Sequence, residues 1–94
     1  MKYFALMYDV VDGFLEKRMP FREAHLAHVR DAHARGGLVM AGALGDPVGA
    51  LLVFRAETAD PVERFARADP YVTNGLTAHW RVRPWAVVVG GDAT

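Results

Sequence analysis

Leu38-Val39-Met40-Ala41-Gly42-Ala43-Leu44, Gly45-Asp46-Pro47-Val48-Gly49 and Ala50-Leu51-Leu52-Val53-Phe54-Arg55 follow one another in mid-chain. The outer segments are short apolar runs, and the five residues between them carry the glycines and the proline that favour a turn. The stretch reads as a β-hairpin. Its strands do not alternate strictly: Leu38 to Ala41 and Leu51 to Phe54 are apolar at consecutive positions, so both faces of the sheet they join ask to be dry.

Immediately before the hairpin, Phe21, Ala24, His25, His28, Val29 and Ala32 follow helical spacing over about 20–35. Pro20 suits the first helical position, Glu23 the first turn, and Gly36-Gly37 the left-handed residue that commonly closes a helix. Further upstream, Lys2 to Tyr8 is an unbroken aromatic and aliphatic strand, followed by a charged loop through Arg18.

After the hairpin, Asp60-Pro61-Val62-Glu63 offers an N-cap, a proline and an early acidic residue for a short helix whose stripe is Val62, Phe65 and Ala66. It runs into a second cap-like group, Asp69-Pro70-Tyr71-Val72, closed by Gly75. Thr77 to Val89 reads as one long last strand, bent or at a sheet edge at Pro84, with 90–94 as a flexible tail.

The hairpin therefore sits between two strand–helix units, and the order is βαββαβ, a ferredoxin-like α+β fold with a four-stranded antiparallel sheet. Its helices cover one face only. The simplest way to dry the other is for two copies to pack sheet to sheet across a two-fold axis, as a homodimeric α/β barrel.

The 94 residues fit one domain. Their 52% hydrophobic content is well above that of chains that stay unfolded. Eleven Lys and Arg balance eleven Asp and Glu without a basic run, which argues against nucleic acid as a partner. The apolar start is too short for a membrane span or a signal peptide, and there is no cysteine, so a cytoplasmic location without membrane association is expected. The absence of cysteine and serine removes thiolate chemistry, Cys-ligated zinc and the Ser-His-Asp hydrolases together.

The residues left to carry chemistry are Arg22, His25, His28, Asp69, Tyr71 and His79. His25 and His28, three apart on one helix, could offer two metal ligands with Asp69 as a third. No further ligand cluster exists, so neither metal nor cofactor is expected. His79, with Arg81 and Arg83 on its face of the strand, reads as solvated. Asp69 has two readings, an N-cap like the other Asp-Pro pairs or a carboxylate that orients a histidine for proton transfer.

Several segments together resemble the YCII-related (YciI-like) family: Met1-Lys2-Tyr3-Phe4, Arg22 with His25-Leu26, Gly37-Leu38, Ala41-Gly42, Asp69-Pro70-Tyr71-Val72 with Gly75-Leu76, and Arg83-Pro84-Trp85. Asp69 to Leu76 is the most specific of them. The chain departs from the family pattern at Ala43, where relatives often carry proline.

The resemblance implies a dimeric α/β barrel with His25 and Asp69 at the active-site positions. Some members act as lyases on small chlorinated lactones or ring-cleavage products. The expectation is then a lyase or isomerase in which His25, oriented by Asp69, moves a proton on a small polar carboxylate or lactone. Arg22 would attract the anion and Tyr71 would offer a phenol. The alternatives are a non-catalytic module of the same fold that holds a small anionic ligand, and a cofactor-free oxygenase or isomerase.

Overall fold

The computed structural model describes residues 1–46 and 48–91. Pro47 of the expected turn and residues 92–94 of the expected tail lie outside the described residues. The element order is β1 (Lys2–Val10), α1 (Phe14–Lys17), α2 (Arg22–Ala34), β2 (Leu38–Leu44), β3 (Gly49–Ala56), α3 (Asp60–Ala68), α4 (Pro70–Thr73) and β4 (Thr77–Trp85). The strands form one antiparallel sheet in the order β2-β3-β1-β4, the ferredoxin-like α+β arrangement.

Side chains alternate across a strand, so register decides what each face shows. Phe4, Leu6 and Tyr8 of β1 pair with Phe54, Leu52 and Ala50 of β3. This set faces the helices and builds the core with Val62, Phe65 and Ala66 of α3 and Ala32 of α2. On the other face, Ala5 and Met7 pair with Val53 and Leu51, while Arg83 and Arg81 stand opposite them on β4. Met40 and Trp85 are 63% and 46% exposed.

Three local readings are corrected. The loop after β1 contains α1, a four-residue helix that starts after Gly13 and buries Phe14. Asp60 does not cap α3: Ala59 holds that position without a side-chain bond, and Thr58 Oγ1 accepts from the Asp60 N–H at 3.3 Å. The last strand stops at Trp85 instead of reaching Val89. Tyr3 already pairs with Trp85, so β1 has almost no backbone left for residues 86–89 to bond, and Val88 and Val89 are exposed. Pro84 is tolerated because β4 is an edge strand.

One glycine is required by close approach. A Cβ on Gly49 would lie 2.7 Å from the Tyr8 carbonyl oxygen, so β3 reaches the end of β1 only with glycine there.

Candidate active site

The site begins with a broken helix. Pro70 disfavours helical backbone in the residue before it, and Asp69 accordingly takes φ −68° and ψ 125°, ending α3. Its carboxylate turns back to cap α4, accepting the Tyr71 N–H at Oδ1 over 2.9 Å. Oδ1 also lies 2.8 Å from His25 Nδ1, and Oδ2 accepts the Tyr8 hydroxyl at 2.8 Å. Asp69 is fully buried, and donors from β1, α2 and α4 converge on it. Capping and pairing with histidine, read as alternatives in the sequence, are performed by the same oxygen.

A carboxylate oxygen can only accept, so the Asp69–His25 contact puts the hydrogen on Nδ1. Nε2 has no hydrogen-bond partner among the described residues. The imidazole stacks on Tyr71 with centroids 3.8 Å apart and planes 9° from parallel, and Phe14 meets the same tyrosine edge-on at 5.2 Å. His25 is thus held in its plane by Asp69 and across it by Tyr71. Burial pushes the Tyr8 phenol well above the ordinary tyrosine range, and the charge and hydrogen bond of Asp69 add to that effect. Tyr8 therefore remains a donor throughout the working pH range.

His25 and Tyr71 line a cavity of about 240 Å³ on the helix side of the sheet. Its floor is small residues, Ala41, Gly42 and Ala43 of β2 with Gly49 and Ala50 of β3, which leave space under the first turns of α2. Ala43, the departure from the family pattern, is part of that floor. Arg22 and Arg18 line the same space, and neither has an ion-pair partner among the described residues. Two larger hollows, each of about 440 Å³, contain none of His25, Tyr71 and Arg22.

The structure therefore brings together His25, Asp69, Tyr71 and Arg22. It does not bring in His28, which stacks on Phe65 at 4.2 Å and donates from Nε2 to the Phe65 carbonyl at 2.9 Å. That carbonyl belongs to the last turn of α3, where the helix has no partner of its own to offer, so His28 serves as an end cap. His79 is exposed on β4, opposite Asp9. No group of three or more metal-ligating side chains gathers among the described residues.

Two site residues escaped the sequence reading. Tyr8 carried a usable signal: it shares the inward parity of Phe4 and Leu6, and a buried tyrosine hydroxyl needs a partner. Arg18 carried none, because in Glu16-Lys17-Arg18 it looks like its neighbours.

No helix among the described residues is long and apolar enough to cross a membrane. The solved structure of the 5-chloro-2-hydroxyhydroquinone dehydrochlorinase TftG from Burkholderia phenoliruptrix, in complex with 2,5-dihydroxybenzoquinone, superposes with a TM-score of 0.75 at 27% identity. The match covers 88% of this chain and 92% of that one. The YciI proteins of Escherichia coli and Shigella flexneri are each 34% identical over 94% of this chain and 99% of their own length. An uncharacterised Haemophilus influenzae protein is 29% identical over 92% of this chain. The model of the YCII-related domain matches residues 1–86, carrying both His25 and the Asp69 to Leu76 segment, and the chain belongs to that family.

Proposed function

We propose that this chain is a cytoplasmic, cofactor-independent lyase or isomerase acting on a small polar carboxylate or lactone. The observation that carries the reading is His25 itself: Nδ1 is fixed on a buried carboxylate, Nε2 has no partner among the described residues, and the ring lines a cavity with two arginines. In an elimination, Nε2 takes a proton from the substrate while a leaving group departs from the neighbouring atom. The imidazolium that forms is stabilised by Asp69, and Arg22 holds the anionic oxygen. A similar protein, TftG, is a dehydrochlorinase, and this supports the elimination class.

The test is chloride release from 5-chloro-2-hydroxyhydroquinone and from a panel of chlorinated lactones. Turnover is expected to fall roughly 10²- to 10⁴-fold in His25→Gln. A variant that keeps the full rate would overturn the assignment. Saturable binding without turnover of any panel member would favour a ligand-holding module instead.

The working unit is proposed to be a homodimer. Met40, Leu51 and Trp85 form apolar surface on the sheet face that no helix covers, and a second copy packed sheet to sheet would bury it. Light scattering at micromolar concentration should report twice the chain mass. A monomer that tolerates Leu51→Lys would contradict this.

A further inference from the structure

We propose that Arg18 is a second anion-binding side chain in the cavity beside His25, and that the ligand is a dianion no larger than one substituted ring. The inference rests on the proposed function in one respect, taking that cavity as the place where the ligand sits.

Arg18 is fixed before any ligand arrives. It closes α1, its N–H donating to the Phe14 carbonyl at 2.9 Å, and its own carbonyl accepts from Phe21 N–H at 2.8 Å to start the turn into α2. Its guanidinium lies 5.6 Å from the centroid of the Phe14 ring. Yet Nε is buried and has no hydrogen-bond partner among the described residues. A buried guanidinium donor without an acceptor is costly, and proteins seldom leave one so.

A second buried donor of the same kind comes from another element. Tyr71 is 4% exposed, and its hydroxyl is also buried without a partner among the described residues. Both residues line the 240 Å³ cavity. Together with Arg22 they form a set of donors short of acceptor atoms.

Charge then fixes the ligand class. Arg18 and Arg22 are two permanent positive charges on one cavity, and its lining contains no carboxylate among the described residues, since Asp69 lies behind His25 and Tyr71. A monoanion would leave one guanidinium uncompensated in a partly dry space. A dianion satisfies both, each through the forked donors that suit carboxylate or enolate oxygens. The volume corresponds to roughly eight waters at about 30 Å³ each, room for one ring with its acidic groups.

Titration calorimetry of the full chain at fixed ionic strength, with benzoate, phthalate and terephthalate as probes, tests the proposal. At least one dicarboxylate should bind tenfold or more tighter than benzoate. Arg18→Met should remove that preference while leaving benzoate within about threefold, as expected for loss of one charged hydrogen-bonding group. Should Arg18→Met lower the unfolding midpoint, Arg18→Gln, which keeps the polar stem, is read in the same way. His25→Gln should retain the dicarboxylate preference even though turnover is lost, so this result stays readable if the acid–base reading fails. The proposal is overturned by equal affinity for benzoate and both dicarboxylates, by no saturable binding of any probe, or by a folded Arg18 variant that keeps the preference.

Discussion

Two histidine–aromatic stacks stand three residues apart on α2 and differ in the acceptor each imidazole meets. His25 stacks on Tyr71 and His28 on Phe65, both partners coming from the α3–α4 segment, and each imidazole has one nitrogen in a hydrogen bond of 2.8 or 2.9 Å. The difference is the acceptor. His28 meets a backbone carbonyl, a neutral dipole that satisfies one N–H and finishes a helix. His25 meets a buried carboxylate, whose full charge stabilises a ring that gains a proton. Packing against an aromatic therefore gives no chemistry by itself; under the proposed function, the charge behind the ring is what separates His25 from a histidine that only caps a helix.

Removing that charge should have the largest effect. Asp69→Ala strands the Tyr8 hydroxyl, the Tyr71 N–H and His25 Nδ1 at once, and should cost about 3–5 kcal/mol in urea denaturation. A cost no greater than that of a His28 substitution would erase the distinction between the stacks. Asp69→Asn can still cap α4 but has one oxygen where three donors now converge on two, so it should fall between wild type and alanine.

Tyr8→Phe comes next and tests the support behind the carboxylate. It deletes one hydrogen bond to a buried charge, worth about 1.5–3 kcal/mol at neutral pH. Because folding raises the phenol's pKa above its unfolded value of about 10, the unfolded chain loses this proton first as pH rises. The stabilisation is complete below about pH 10 and is withdrawn above it by about 1.4 kcal/mol per pH unit. Stability curves of wild type and Tyr8→Phe should thus converge on the alkaline side; curves that stay parallel would show that Tyr8 is not held protonated. The smallest effect belongs to His28→Leu, about 1 kcal/mol, with ligand binding and turnover unchanged. A loss of turnover there would mean that both histidines serve the chemistry.

The fold was legible because its signals are redundant. β2 was readable from Leu38 to Leu44, and the Val62, Phe65 and Ala66 stripe of α3 is buried as its spacing requires. α1 was not, since four residues with two charges carry no period. The end of β4 was misread for a different reason: Ala86 to Val89 has strand composition, but where a strand stops is set by its neighbour, and β1 begins at Lys2. The same locality limits the reading of the site. Asp69-Pro70 announces a helix break in sequence, whereas the donors that meet there come from positions 8 and 25, and only the register of β1 against β3 turns Tyr8 inward.

The break at Pro70 also bears on how relatives are judged. The carboxylate that orients His25 is the first cap of α4 and the meeting point of three buried donors, so a lineage that lost its chemistry would still be penalised for losing the aspartate. Its presence in a relative would therefore report on folding as much as on chemistry. Divergence at Arg18 and Arg22, which pair with no carboxylate among the described residues, would be the more sensitive marker of a changed or abandoned substrate.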